Sequence, residues 1–102
     1  MIHVVATITL KPGARAAFVE VFRWLTPLVR AEEGCVEYQG TTDVPTTLAV
    51  QDGPRDNVVT VVEKWDSLDA LYAHISAPHM QEYREKVRDF VVGVSLQVME
   101  PV

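Results

Sequence analysis

Four segments of the chain carry the hydrophobic pattern of β-strands. Residues 2–10 and 94–98 alternate between apolar and polar positions, which is the period of two that a strand requires. A further strand is predicted from Cys35 to about Thr42. Residues 58–62 are apolar at nearly every position, and this run predicts a strand that is covered on both faces.

The first helix is predicted over residues 14–32, where apolar side chains recur every three or four positions. Pro27 lies inside this pattern, so a kink or a break is expected there. Gly34 is the expected left-handed cap at the end of the helix. Residues 43–57 have the composition of a loop, and residues 46–50 within it are a candidate for a short extended piece.

Two shorter helices are predicted after the third strand. The first runs from about Ser67 to Ile75, with Asp66 or Ser67 as its cap, and Pro78 suits the first turn of the second. The apolar stripe of the first comprises Leu68, Leu71, Tyr72 and Ile75. The stripe of the second comprises Met80, Tyr83, Val87, Phe90 and Val91. Each stripe is expected to face the sheet.

The order of elements is β-α-β-β-α-β, with the second helical region split in two. This order predicts a ferredoxin-like α+β fold, in which one antiparallel sheet carries helices on one face. Residues 1–102 are expected to form a single domain. Helices can cover only one face, yet Val5 lies opposite Val4 and the third strand is apolar on both sides. We therefore expect a homodimer that packs sheet against sheet.

Composition and charge narrow the range of partners. Fourteen acidic and nine basic residues give a net charge of -5, which argues against nucleic acid as a partner. No apolar run approaches the ~18 residues that span a bilayer, and no signal peptide is apparent, so no membrane partner is expected. Cys35 is the single cysteine, and because it has no internal disulfide partner, a cytoplasmic location fits best. It is predicted to be a small buried hydrophobe. The sequence has no metal-ligand cluster, so no metal site is predicted.

The candidate chemistry gathers in a stretch that runs from Glu63 to His79. His74 is the candidate catalytic residue, a neutral imidazole that takes a proton from a phenolic or enolic substrate. Its alternative is a structural histidine at the edge of a helix. Trp65 is the candidate pocket wall, whose face stacks on a flat aromatic substrate, and its alternative is a core tryptophan.

Five further residues are candidates for substrate binding. Glu63 shares a strand face with Trp65, and unless it has a function we expect it to pair with an arginine or with the partner subunit, because an unpaired buried carboxylate is costly. His79 opens a helix, where a structural role near the cap is the alternative. Tyr72 and Tyr83 lie on helix stripes and are expected to be mostly core, with hydroxyls that can reach a pocket. Arg84 is a candidate to offset a developing anion, and a solvated position is its alternative.

With these elements in place, the chain resembles the antibiotic biosynthesis monooxygenase family over nearly its whole length. The resemblance rests on Lys11-Pro12-Gly13, Ala31-Glu32-Glu33-Gly34-Cys35, Glu63-Lys64-Trp65, His74 and Ser76-Ala77-Pro78-His79. It implies a homodimeric α/β barrel with a pocket between each sheet and its own helices. Several members of the family oxygenate quinols or anthrones with molecular oxygen and no cofactor, while others degrade haem, isomerise a small sugar derivative or have no known reaction.

Two departures from the family pattern limit what is carried over. Haem-degrading relatives use an asparagine on the first strand, a tryptophan on the second helix and a histidine on the third. The corresponding positions here are about Thr7, His74 and Arg84, which disfavours haem degradation. Residues 43–57 also form a longer excursion than the tight hairpin of many members, and no role is carried over for it.

These residues and the resemblance together favour a cofactor-independent monooxygenase. Its substrates would be molecular oxygen and a small aromatic quinol or an anthrone-like molecule. One alternative is a small-ligand-binding or interaction module without chemistry, whose pocket would be absent or filled by Tyr72, Tyr83 and Phe90. Another is a cofactor-free isomerase of a small polar metabolite, which would need a wetter pocket and a paired acid and base such as Glu63 with His74.

Overall fold

The computed structural model describes all 102 residues, which form four strands and three helices. Their bounds are β1 Ile2–Leu10, α1 Arg15–Arg30, β2 Cys35–Thr41, β3 Val58–Trp65, α2 Leu68–Ile75, α3 Pro78–Val87 and β4 Val91–Met99. All strand pairs are antiparallel, and the order across the sheet is β2-β3-β1-β4. This arrangement confirms the predicted ferredoxin-like α+β fold.

The core lies between one face of the sheet and the helices. Ala6 of β1 stands opposite Val61 of β3, and both side chains point toward the helices because paired residues share a face. The same face carries Glu63 and Trp65, since side chains two positions apart in a strand lie on one side. From α1, the buried residues that meet this face are Phe18, Phe22, Leu25 and Val29.

Two apolar surfaces of the sheet remain uncovered. Val5 pairs with Val62 on the helix-free face, and both are only partly buried. On the helix side, the apolar residues of β4 lie beyond the helices: Val94, Leu96 and Val98 are 60%, 46% and 49% exposed. The two-sided cover expected for β3 is therefore incomplete within one chain.

The buried face of α2 differs from the predicted stripe. Ser67 caps the helix as expected, because its Oγ accepts a hydrogen bond from the N–H of Ala70 at 3.1 Å. The helix buries Leu71 and His74, however, whereas the other stripe residues are exposed: Leu68 43%, Tyr72 58% and Ile75 39%. The face of α2 that packs on the sheet therefore contains His74 and is rotated relative to the predicted apolar stripe.

Three local expectations are corrected. Of the kink or break expected at Pro27, the break does not occur, because helix α1 continues through this residue. Residues 46–50 form no strand and lie in turns and coil. The two ends of the connection between β2 and β3 are joined by Arg55, whose Nε donates to Asp43 Oδ2 at 2.7 Å. Cys35 is half-buried at the start of β2 and is not fully buried as predicted. Among the three helices, none has both the length and the apolar character needed to cross a membrane.

Candidate active site

A cavity of about 600 Å³ lies between the sheet and the two short helices. Thirteen of its seventeen lining residues are hydrophobic, so it suits a small and mostly apolar ligand. The sheet contributes Val4, Ala6, Ile8, Tyr38, Val61, Glu63, Val91, Val94 and Leu96. The helices and the residue after α3 contribute Leu71, His74, Ile75, Met80, Tyr83, Arg84, Val87 and Arg88.

His74 brings a titratable nitrogen to this apolar cavity. His74 is 3% exposed, because its side chain lies on the face of α2 that packs on the sheet. The Nδ1 atom lies 2.9 Å from Glu32 Oε2. A carboxylate only accepts hydrogen bonds, so Nδ1 carries the proton in this contact, and a neutral ring then has a bare Nε2.

Glu63 is the second ionisable group of the cavity, and it is 5% exposed. Burial raises the pKa of its carboxyl, an effect that the hydrogen bond from Trp65 and the charge of His74 oppose and that Glu32 reinforces. The expected pairing with an arginine does not occur. Glu63 instead accepts a hydrogen bond from the indole Nε1–H of Trp65 at 2.9 Å.

Trp65 does not line the cavity, which corrects the prediction that it forms the pocket wall. It is fully buried behind Glu63 and His74, with its ring centroid 4.6 Å from that of the imidazole. Its N–H is already used by Glu63. The indole therefore supports the two polar groups from behind, and its face is not available for stacking on a ligand.

The remaining predicted site residues divide into two groups. Tyr83 and Arg84 line the cavity. Arg84 is also exposed, which agrees with the alternative of a solvated position, and its Nη2 donates to the carbonyl oxygen of Ile75 at 2.7 Å. Tyr72 and His79 do not line it. Tyr72 is exposed because α2 turns its other face to the sheet, and His79 points to Glu32, with its Nε2 2.7 Å from Oε2.

Two residues that sequence reasoning did not propose belong to the site. Tyr38 lines the cavity, and its ring packs edge-on against His74 with centroids 5.5 Å apart. Strand alternation places Tyr38 on the inner face, so this signal was present in the sequence. Glu32 follows the end of α1 and contacts His74 from 42 positions away, for which no local sequence signal exists.

Both cavity tyrosines are held in their neutral form. Burial raises the pKa of Tyr38 and of Tyr83 above the ordinary value for a phenol. Their hydroxyl groups therefore keep their protons near neutral pH. Each is a neutral donor at the edge of an apolar cavity, of the kind that can stabilise a developing oxyanion.

The turn between α1 and β2 places Glu32 beside His74, and Gly34 makes that turn possible. Gly34 has φ +83°, the left-handed region that was predicted, although it lies three residues beyond the C-cap Ala31. A Cβ at this position would lie 2.6 Å from the Cβ of Ala70 on α2. The absence of a side chain thus allows the turn to pack against the helix that carries His74.

Comparison with known proteins identifies the family. The family model described as antibiotic biosynthesis monooxygenase matches residues 1–86. The chain belongs to the antibiotic biosynthesis monooxygenase family. Within it, the protein is 33% identical over 103 residues to "Probable quinol monooxygenase YgiN" of Escherichia coli K12, a match that covers 99% of this chain and 98% of the relative.

Two solved structures share the fold of this chain. Rv0793 from Mycobacterium tuberculosis has a TM-score of 0.80 and 26% identity, over 99% of this chain and 94% of that one. PA3566 from Pseudomonas aeruginosa has a TM-score of 0.81 and 23% identity, over 99% and 93% of the two chains, which supports the fold.

Proposed function

We propose that this protein is a cofactor-independent monooxygenase that oxidises a small quinol or an anthrone-like aromatic molecule with molecular oxygen. The observation that carries the proposal is the apolar cavity in which His74 is the buried base candidate. The similarity to a relative named as a probable quinol monooxygenase supports the substrate class.

The chemistry requires little from the protein because the substrate supplies the electrons. Once deprotonated, an electron-rich quinol or anthrone can reduce oxygen directly, as a cofactor otherwise would. For an anthrone, the methylene group and O2 become a quinone carbonyl and water, so no external reductant is needed. The protein provides an apolar cavity, a base and hydrogen-bond donors for the oxyanion.

Each requirement has a residue in the cavity. His74 Nε2 takes the substrate proton, and the hydroxyl groups of Tyr38 and Tyr83 and the guanidinium of Arg84 are the donors for the resulting oxyanion. The apolar lining holds the aromatic ring and excludes water. Trp65 has an indirect part in this scheme, since it holds Glu63 and packs on the imidazole.

Replacement of the base tests the proposal. In an oxygen-uptake assay with a panel of quinols and anthrones, His74→Ala should lower kcat by about 10²–10⁴-fold, the usual contribution of a general base. Gln81→Ala is the control, because Gln81 is exposed on α3, lies outside the cavity lining and should leave the rate unchanged. Uptake no faster than the uncatalysed rate, or equal rates for His74→Ala and the wild type, would contradict the proposal.

An isomerase of a small polar metabolite is the second candidate, and one observation favours it. Glu63 and His74 both line the cavity, and Glu63 is not held by an arginine, so an acid and a base are available together. The mostly apolar lining favours the monooxygenase. Measurement of oxygen uptake decides between the two reactions, because an isomerase consumes no oxygen. A module without chemistry is less favoured, since its pocket was expected to be absent or filled.

We also propose that the protein works as a homodimer in the cytoplasm. The partly buried pair Val5 and Val62 on the helix-free face and the exposed apolar residues of β4 support a second copy as the cover. The net charge of -5 argues against nucleic acid as a partner.

A further inference from the structure

A single carboxylate oxygen joins two histidines behind the cavity. Glu32 Oε2 lies 2.9 Å from His74 Nδ1 and 2.7 Å from His79 Nε2. The side chains of Glu32, His74 and His79 are 13%, 4% and 21% exposed, so the cluster runs from the buried cavity wall toward the surface. Glu32 itself does not line the cavity.

This contact decides which nitrogen of His74 faces the substrate space. Since the carboxylate accepts, Nδ1–H donates and the neutral ring leaves Nε2 without a proton. Nε2 has no hydrogen-bond partner in the protein. Every fully buried polar side-chain atom of the protein does have a partner, so Nε2 is not fully buried. Nε2 is therefore open to the cavity that His74 lines.

We propose that Glu32 is the positioning residue of His74, and that His79 holds Glu32 in place. The inference rests on the proposed function for its kinetic consequence, but not for its structural one. Glu32 fixes the Nδ1–H tautomer and the ring orientation, so that Nε2 is presented to the substrate as a base. His79 donates to the same oxygen and thereby prevents the carboxylate from rotating toward solvent.

The proton transfer that this arrangement supports is balanced within the site. The O–H or activated C–H bond of the substrate breaks and an Nε2–H bond forms, which leaves the substrate as an anion and His74 as an imidazolium ion. The imidazolium charge then lies against the Glu32 carboxylate through Nδ1–H, a charge-assisted hydrogen bond. Glu32 keeps its charge and touches no reacting atom, in the manner of the third member of a catalytic triad.

The kinetic test replaces Glu32 with its amide. Glu32→Gln keeps the shape but removes the charge, so kcat should fall by about 10-fold to 10⁴-fold, the upper end being the loss that the same acid-to-amide change causes in a catalytic triad, while KM changes less than about twofold. Glu33→Gln is the matched control, because Glu33 is exposed and makes no side-chain hydrogen bond or ion pair. A thermal melt of both variants shows whether either has lost its fold.

The spectroscopic test needs no substrate. Long-range 1H–15N spectra of the wild type should show His74 protonated at Nδ1 and bare at Nε2. Glu32→Gln should populate both tautomers, because an amide can accept from Nδ1–H or donate to a bare Nδ1. A wild type protonated at Nε2, or a tautomer unchanged in Glu32→Gln, would overturn the positioning role.

The two tests separate this inference from the proposed function. If the wild type oxidises no quinol or anthrone but the tautomer shifts in Glu32→Gln, the proposed function fails and the positioning role stands. If the wild type is active and Glu32→Gln retains both kcat and the tautomer, the positioning role fails alone. Glu32→Gln with reduced kcat and mixed tautomers supports both.

His79 gives an additional check on the second part of the inference. His79→Ala removes one donor to Glu32 Oε2 and should lower kcat less than Glu32→Gln does. His79→Gln restores a donor and should recover part of that loss. Equal rates for His79→Ala and the wild type would show that His79 does not hold Glu32.

Discussion

Two carboxylates in different environments define the polar end of the cavity. Glu63 is desolvated, with one indole N–H as its hydrogen-bond partner, and its pKa is raised. Glu32 receives two imidazole N–H groups at the end of α1. The two glutamates thus have different properties, because they differ in the number of hydrogen-bond donors to the carboxylate and in its access to water. Glu63 responds to pH, and Glu32 orients a base.

The raised pKa of Glu63 predicts a stability that falls as the pH rises. Above the ordinary value near 4.5, the unfolded chain releases the proton of Glu63 while the folded chain still holds it. Stability is therefore lost between that value and the raised pKa, by about 1.4 kcal/mol for each unit of elevation. Glu63→Gln should be more stable than the wild type above this window and equal to it near pH 4.

Denaturant unfolding from pH 4 to pH 9 measures this difference. Glu82→Gln is the control, because Glu82 is exposed on α3 and should show the same pH dependence as the wild type. A Glu63→Gln variant whose advantage grows toward low pH would show that the sign of the linkage is wrong.

At the scale of elements, the site depends on how α2 is held. This helix has eight residues, too few to be stable alone, and it is anchored by the Ser67 cap and by the side chains of Leu71 and His74. The turn that contains Gly34 packs against it through Ala70. The close approach of turn and helix brings Glu32 to His74, so a change at Gly34 should affect both the fold and the site.

Gly34→Ala should lower the free energy of unfolding by about 2–5 kcal/mol, because it combines left-handed strain of about 1–2 kcal/mol with a steric clash on Ala70 that costs about 1–3 kcal/mol. Gly13→Ala is the matched control: φ is +82° there, but nothing lies within 4 Å of the added Cβ. Its loss should be about 1–2 kcal/mol, from the strain alone. Equal losses in chemical denaturation would show that the contact with α2 is unimportant.

At the scale of the whole molecule, the sheet leaves apolar surface without a cover. Three apolar side chains of β4 point to the helix side but are about half exposed, and Val5 and Val62 lie together on the helix-free face. Uncovered apolar surface of this kind favours association with a second copy. The cavity is lined in part by Val94 and Leu96 of β4, so cover at this strand would also enclose the ligand.

Val62→Asp should convert the proposed dimer to a monomer, because it places a carboxylate at the centre of the helix-free face. Light scattering at micromolar concentration should give twice 11.4 kDa for the wild type and 11.4 kDa for the variant. Val50→Asp is the control, since Val50 is 95% exposed in the connection between β2 and β3 and should leave the dimer intact. A monomeric wild type, or a folded Val62→Asp dimer, would contradict the sheet-to-sheet interface.

The elements were predictable where one periodic pattern was sufficient. Alternation located β1, and Pro78 at the first turn located the start of α3. The predicted stripe of α3 was too long, because the helix ends at Val87 and Val91 begins β4. The pattern failed for α2, because a helix of about two turns fits two overlapping stripes, one with Tyr72 and one with His74. The break expected as one outcome at Pro27 does not occur, because α1 tolerates the missing N–H of proline within a continuous helix.

The sequence by itself determined the fold and the family and identified His74 as the candidate base, since hydrophobic period and short motifs are local properties of the chain. Only the tertiary structure decided that Trp65 lies behind the cavity and that Glu32 is the partner of His74. Those facts depend on distances between residues far apart in sequence, 42 positions for Glu32 and His74. Such distances are set by the packing of the α1–β2 turn against α2, and no local pattern records that contact.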